Sequence, residues 1–164
     1  MTAVADSSPL VILAKLACFD LLNRLFPLLY VSTEVFPEVV VSGAGLPGAS
    51  EVTGARWTEV KQLQNRADLL AAQQGHALGA GELSTILLAK ELHVDGVLLD
   101  DYDARKLARA EGLQVQGTVG LLETFYLRGH LSDLRAVFGQ LLTRSYIDQR
   151  LLNLRLRALR LPPL

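Results

Sequence analysis

The hydrophobic pattern of the chain contains five short segments that predict β-strands. Continuously apolar runs, typical of buried parallel strands, occur at residues 3–6, 28–31 and 94–100. Two more polar segments, 56–60 ("RWTEV") and 113–117 ("LQVQG"), also predict strands, the first of them at an edge of the sheet. The pattern therefore predicts about five strands spread along most of the chain.

Between and after these segments the apolar positions recur at helical spacing. The first helix is predicted to begin at Ser7 or Ser8 and to run to about Phe26, where Pro27 ends it. A second helix is expected after Ser32, which can cap it. Residues rich in Gly and Pro at 42–55 predict a loop, which can contain one helical turn. Further helices are predicted around 66–73, 81–93, 101–112, 118–129 (capped by Thr118), 132–143 and 146–160.

This alternation of strands and helices predicts an α/β fold. Helical crossovers between successive strands favour a mostly parallel sheet that is covered on both faces. A chain of 164 residues, half of them hydrophobic, is long enough to form one domain with a sizeable core. In open parallel sheets, ligands bind beyond the carboxyl ends of the strands.

Acidic residues recur where the predicted strands end or where the following helices begin. Because separate strands bring their carboxyl ends to one edge, these side chains are expected to meet there. Several carboxylates at one edge repel one another, and a divalent cation relieves that repulsion; hard oxygen ligands favour Mg²⁺ or Mn²⁺. The acids at such positions are Asp6, Glu34, Glu38, Glu82, Asp100, Asp101 and Asp103.

Each of these acids also has a purely structural explanation. Glu34, Glu38 and Glu82 stand in predicted first turns of helices, where the macrodipole alone favours a negative charge. Asp6 and Asp101 are suitable helix caps. The joint occurrence of acids after the first and the fourth predicted strands therefore carries more weight than any single position.

The charge of the chain is unevenly distributed. Residues 1–112 carry nine Lys and Arg against fourteen Asp and Glu, a balance of −5, whereas residues 113–164 carry seven Arg against three acids, a balance of +4. An acidic part that holds cations and a basic part that attracts a polyanion fit together, although uneven surface charge alone explains the same numbers. The single Cys18 excludes a disulfide within the chain, and no signal peptide or membrane span is expected, which favours the cytoplasm.

Several short sequence words, in order along the chain, resemble the PIN-domain superfamily. The likeness is closest to its bacterial and archaeal branch of PIN-like nucleic-acid-binding proteins, and it extends from about residue 5 to residue 131. Beyond residue 145 the Leu- and Arg-rich ending departs from the usual pattern. The first matching segment is residues 5–16, which end in "PLVILAKL". The others are "DLLNRLF", "VFPEVV", "GAGE", "LLDDYDARKLA", "EGLQVQGTVGLL" and "RGHL".

The resemblance implies a three-layer α/β/α sandwich with a central parallel sheet and an Mg²⁺- or Mn²⁺-dependent ribonuclease site. Carried over by position, the catalytic acids are Asp6, Glu38, Glu82 and Asp101. The metal is expected on Asp6, Glu82 and Asp101 together with Asp100. The residues implied to bind substrate are Ser7, Thr118 and Arg105.

The resemblance also implies partners and a domain division. The substrate is expected to be RNA, and many PIN proteins are toxins of the VapC type, each paired with a small antitoxin protein. Residues 1–145 are expected to form the PIN-like domain. Residues 146–164 are expected to form a helix that packs on this domain or at a homodimer interface.

Two functions of different classes follow from these observations. The first is a metal-dependent endoribonuclease whose ions activate a water and stabilise the leaving oxygen. The second is an inactive PIN-like module that only binds RNA or a partner protein. A phospho-acceptor receiver domain is weaker, because the "LLDD" pair lies on a late strand and no lysine is suitably placed. Basic residues after the site, Arg105, Lys106 and Arg109, either contact phosphates or form a solvated helix face.

Overall fold

A computed structural model describes residues 1–144 and 147–164 and contains a five-stranded sheet in which all neighbouring strands are parallel. The order of the strands across the sheet is β3-β2-β1-β4-β5. The predicted α/β class with about five parallel strands is confirmed. The strands are β1 (Thr2–Ala5), β2 (Leu28–Ser32), β3 (Thr58–Lys61), β4 (Gly96–Leu98) and β5 (Gln114–Gln116).

Helices connect the strands and pack on the sheet in two groups. The connections from β1 to β2 to β3 step towards one edge of the sheet, and those that follow β3 step towards the other edge. Right-handed crossovers therefore place the two groups on opposite faces of the sheet. The first group is α1 (Ser7–Lys15), a 3₁₀ turn (Phe19–Leu21), α2 (Leu22–Leu25), α3 (Val35–Val40) and α4 (Ala49–Gly54); the second is α5 (Arg66–Gly75), α6 (Ala80–Leu92) and α7 (Tyr102–Ala110).

The predicted single helix from residue 7 to about residue 26 is wrong. Helix α1 ends at Lys15, and Ala17 adopts a left-handed backbone conformation with φ 55°. The amide of Cys18 then donates to the carbonyl of Leu13 at 2.8 Å, which closes the helix end. Apolar residues continue at helical spacing across this break and are all buried, so the periodicity conceals it: Leu16, Phe19, Leu22 and Leu25.

The core around the second group of helices joins the sheet to α6 and α7. Val4 of β1 and Val97 of β4 are buried against apolar side chains from one face of α6, including Leu83 and Ile86. Ala108 of α7 belongs to the same cluster. This shared core packs α6 and α7 against the same part of the sheet.

The described residues divide into two compact units, 1–118 and 119–164. The predicted boundary between residues 145 and 146 falls at Ser145 and Tyr146, outside the described residues. Helix α8 (Thr118–Leu127) begins at the last residue of the first unit, and the second unit also contains α9 (Leu134–Arg144) and α10 (Gln149–Ala158).

Inside the second unit an ion pair connects α10 to α8. The Arg155 guanidinium donates from Nε and Nη2 to the two carboxylate oxygens of Glu123, both at 2.6 Å, and the Glu123 residue is only 7 % exposed. On α10, Leu152 and Leu156 are fully buried, whereas Leu151 and Leu154 are exposed. This unit thus has an apolar core, while its third helix also carries leucines towards solvent.

Among the described residues, no helix has both the length and the apolar character needed to span a lipid bilayer.

Candidate functional site

The site is built at the edge of the sheet where β1 and β4 end side by side. Ala5 and Leu98 are paired in register, and the amide of Asp6 donates to the carbonyl of Leu98 at 3.0 Å. Asp100 follows Leu98 by two residues, so acids from two distant segments reach the same edge. The prediction that strand pairing gathers these segments is confirmed by this register.

Asp6 is the most buried of the acids at this edge. The residue is 5 % exposed, and although it stands at the N-cap position of α1, its side chain makes no capping hydrogen bond. Burial raises the pKa of its carboxyl from an ordinary 3.8 to about 7; the amide of Ser7 lowers it, and nearby negative charges raise it further. These charges are on Glu82, Glu38 and Asp100.

Glu38 belongs to α3 and Glu82 to α6, two helices on opposite faces of the sheet, and the Glu38 carboxylate lies against the first turn of α6. A Cβ on Gly81 would lie 2.8 Å from Oε1 of Glu38, so the glycine leaves room for this carboxylate. Glu82 accepts a hydrogen bond from the amide of Gly79, the N-cap residue of α6, at 3.1 Å. Burial, followed by the charges of Asp101 and Glu38, raises the pKa of Glu82.

Asp100 is held by three hydrogen bonds. Its Oδ2 accepts from the hydroxyls of Ser8 and Thr118, both at 2.8 Å, and its Oδ1 accepts from the amide of Thr118 at 2.7 Å. Gly117 allows this close approach, because a Cβ there would lie 3.0 Å from Oδ1 of Asp100 and would overlap Nη1 of Arg105. Arg105 donates from that nitrogen to the carbonyl of Leu99 at 3.1 Å. Asp100 thus joins the β1–α1 turn to the first residue of α8.

Asp101 takes the helix-cap role that the sequence left open, and its metal-binding role stays a prediction. Its Oδ2 accepts the amide of Ala104 at 2.9 Å, so it caps α7, and its charge also acts on Glu82. Glu34 is neutralised instead by Arg66, at 3.0 Å. Glu34 is therefore a partner in an ion pair beside α3.

The structure places five of the selected acids, all except Glu34 and Asp103, close enough for their charges to act on at least one other of the five, and it shows one hydroxyl that sequence reasoning missed. The hydroxyl that reaches Asp100 belongs to Ser8, whereas Ser7, the predicted substrate-binding residue, supplies its backbone amide to Asp6. Nothing in residues 6–9 distinguishes the two serines, because only the turn of the chain after β1 decides which one faces β4. Thr118, the predicted cap of α8, is its first helical residue, and its hydroxyl is directed to Asp100. The assignments of Ser7, Thr118 and Arg105 to substrate binding stay predictions.

A family model described as a PIN domain matches residues 2–160. The chain belongs to the PIN-domain family. This assignment and the parallel five-stranded sheet confirm the predicted PIN-like fold, which is of the nuclease type. Comparison with curated proteins gives no significant match.

PIN domains in general use divalent metal ions, and the oxygen donors of this PIN domain suit such an ion. The negative charges act on one another, since Asp6 is influenced by three other acids and Glu82 by two. Among the described residues, however, no three acidic, histidine or cysteine side chains are grouped closely enough to form a complete ligand set. Binding a cation would therefore require carboxylates to turn towards it; the exposed Glu38 has the freedom to do so, whereas Oδ2 of Asp101 is engaged by the amide of Ala104.

Proposed function

We propose that this PIN domain is a metal-dependent endoribonuclease that hydrolyses RNA phosphodiesters. The observation that carries the proposal is electrostatic: the charges of Glu82, Glu38 and Asp100 act on the buried carboxyl of Asp6, whose pKa is raised to about 7, and those of Asp101 and Glu38 act on Glu82. A buried acid surrounded by like charges is typical of a site that binds a cation. The family membership supports the same conclusion.

The proposed role of each residue follows from its surroundings. Asp6 and Asp101, with Glu82 and Asp100, would hold Mg²⁺ or Mn²⁺, and Glu38 would complete the acidic set. The bound ion would activate a water and stabilise the negative charge that develops on the phosphate. Ser8 and Thr118 orient Asp100 through its hydrogen bonds. Arg105 lies beside Asp100 and is suitably placed to attract a phosphate.

The test is cleavage of single-stranded RNA by the purified chain in Mn²⁺ and in EDTA. Asp6→Asn has nearly the same shape and removes the central charge, so we expect it to reduce cleavage by at least about a hundredfold. The matched control is Asp68→Asn, at an exposed position in the first turn of α5. Cleavage that persists in Asp6→Asn, or that needs no divalent ion, would contradict the proposal.

A binding module without activity is the second candidate, and one observation favours it. Two of the carboxylates already serve helix ends, Glu82 at α6 and Asp101 at α7, and no ready ligand set is present among the described residues. A folded protein that binds RNA but cleaves none with Mg²⁺ or Mn²⁺ would establish this alternative.

The partners and the location form part of the same proposal. We infer RNA as the substrate, a small antitoxin protein as the partner of a toxin, and a homodimer formed through α10, whose Leu151 and Leu154 are exposed. The free, buried Cys18 fits a reducing compartment such as the cytoplasm. Co-purification of a small protein encoded beside this chain would support the toxin–antitoxin pairing.

A further inference from the structure

An exposed aromatic side chain lies next to the acidic edge. Tyr102 is 75 % exposed and directly follows Asp101 as the first residue of α7. Exposing a tyrosine to this extent brings no packing stabilisation, since its ring is left in water. Its place beside the carboxylates suggests that the ring packs on something bound there.

A cavity of about 430 Å³ lies on the adjoining face of the same helix. It is formed between α7 and the segment that connects α5 to α6. Leu78 and Leu107 provide apolar surface, His76 and Lys106 provide polar nitrogen atoms, and Asp103 provides a carboxylate. Such a mixture of flat apolar surface with a few polar groups is typical of small-ligand sites.

The exposed face of α7 also carries positive charge. Lys106 lies one helical turn after Tyr102, and Arg109 lies one turn further, so the three side chains share one face. Both cationic residues are exposed. A helix face that carries an aromatic ring and cations suits single-stranded nucleic acid, because the ring can stack on a base and the cations can contact phosphates.

We propose that α7 binds unpaired RNA, with one base stacked on Tyr102 and a neighbouring base in the cavity beside Asp103. This inference rests on the proposed function in taking RNA as the ligand, and it does not require cleavage. A carboxylate in the cavity accepts a hydrogen bond from an exocyclic amino group, which cytosine and adenine have and uracil lacks. The cavity is therefore selective for amino-bearing bases. Double-stranded RNA is excluded because its bases are already stacked.

The first test measures binding by fluorescence anisotropy, with labelled single-stranded RNA in EDTA so that nothing is cleaved. Tyr102→Ala is expected to weaken binding about fivefold or more, whereas Tyr102→Phe retains the stacking surface and stays near the wild type. Val60→Ala on β3, at the edge of the sheet opposite β5, is the matched exposed control. Equal binding by the Tyr102→Ala variant and the wild type would overturn the inference.

The second test compares oligo(C) and oligo(A) with oligo(U). The wild type should prefer the amino-bearing oligomers, and Asp103→Ala should lose that preference even though removing a negative charge strengthens RNA binding in general. No preference in the wild type would overturn the role of the cavity. A peptide or protein that occupies the cavity without affecting RNA binding would also overturn the role of the cavity.

The two proposals fail in different ways. A chain that binds RNA through Tyr102 but cleaves none with Mn²⁺ would contradict the nuclease proposal and leave this inference intact. A chain that cleaves RNA at the wild-type rate after Tyr102→Ala, with unchanged binding, would contradict only this inference. Lys106→Ala is expected to reduce the dependence of binding on salt, with Lys15→Ala at the exposed end of α1 as its control.

Discussion

The burial of the Asp6 carboxyl is expected to lower the stability of the folded protein as pH rises. This carboxyl is buried, makes no capping hydrogen bond from its N-cap position, and is surrounded by three further acids. An asparagine at the same place would satisfy the backbone without any charge. The retained aspartate is understandable when its negative charge is needed for a cation.

The pH dependence of stability tests this account of Asp6. Its pKa in the folded chain, about 7, lies above its ordinary 3.8, so the folded state holds a proton that the unfolded state releases between these values. In EDTA, stability should therefore fall as pH rises from about 4 to about 7 and then level off. The upper limit of the effect is on the order of 4 kcal/mol.

The measurement is urea unfolding across this pH range for the wild type and for Asp6→Asn. The difference in the free energy of unfolding between Asp6→Asn and the wild type should grow as pH rises, and the variant should be the more stable above pH 7. Mg²⁺ should then stabilise the wild type selectively. Asp68→Asn corrects for an ordinary exposed carboxyl. If the free energies of unfolding of the wild type and Asp6→Asn change with pH in parallel, Asp6 does not lower the stability of the folded chain.

The sequence predicted which acidic residues follow the strands at the carboxyl edge of the sheet, but it could not predict their hydrogen bonds. Position after a strand was enough to select Asp6, Asp100 and Asp101. It could not show that Asp100 accepts three hydrogen bonds, because these bonds come from Ser8 and Thr118 in other elements. The cap of α7 by Asp101 is a local bond to Ala104, and the sequence did allow it. The long-range partners of Asp100 follow from the register of β1 with β4 and of β4 with β5, which is a property of the folded sheet.

At the scale of elements, the close contact between α3 and α6 forms the acidic edge. Glu38 projects from α3 onto Gly81 in the first turn of α6, and only a residue without a side chain leaves that space. The glycine thus sets how near the Glu38 carboxylate comes to Glu82 and Asp6. The sequence word "GAGE" contained this glycine, but only the packing of two helices from opposite faces explains it.

Gly81→Ala is expected to separate function from stability. Its Cβ would meet Oε1 and Oε2 of Glu38 at 2.8 and 3.0 Å, and the flexible side chain would turn away. Alanine favours a helix over glycine by about 1 kcal/mol, so the free energy of unfolding should stay level or rise while Mn²⁺ affinity and cleavage fall. Gly120→Ala in α8 is the matched control, since nothing lies within 4 Å of its Cβ. Unchanged metal affinity in Gly81→Ala would contradict this role.

The break between α1 and α2 shows what periodicity cannot reveal. Buried apolar residues keep a helical spacing through the turn at Ala17, because the 3₁₀ segment that follows presents Phe19 to the same core. A left-handed alanine carries no sequence signal comparable to a glycine. By contrast, the edge position of β3 was predictable from its polar residues, since an edge strand leaves one side to water.

On the scale of the whole molecule, charge and burial differ between the two units. Of the three acids in residues 119–164, Glu123 is paired with Arg155, while Asp133 and Asp148 accept helical amides in α9 and α10. The seven arginines of this part exceed its three acids by four, so its side chains carry a net positive charge. The parallel sheet was predictable because strands and helices alternate along most of the chain, whereas the change of charge after residue 112 does not by itself place the division at residue 118.

The exposed leucines of α10 lead to the prediction about assembly. Leu151 and Leu154 are 46 % and 60 % exposed, and pairing them across two copies would bury them, although arginines such as Arg150 and Arg157 repel each other at such a seam. We expect a dimer of twice 17.9 kDa by sedimentation equilibrium, and we expect salt to strengthen it because salt screens this repulsion.

Leu154→Glu should weaken dimerisation at least about tenfold, whereas Leu70→Glu, at a residue of α5 that is 63 % exposed, should not. Because RNA binding weakens with salt, opposite salt responses would separate self-association from RNA binding; a monomer at every salt concentration would contradict the dimer.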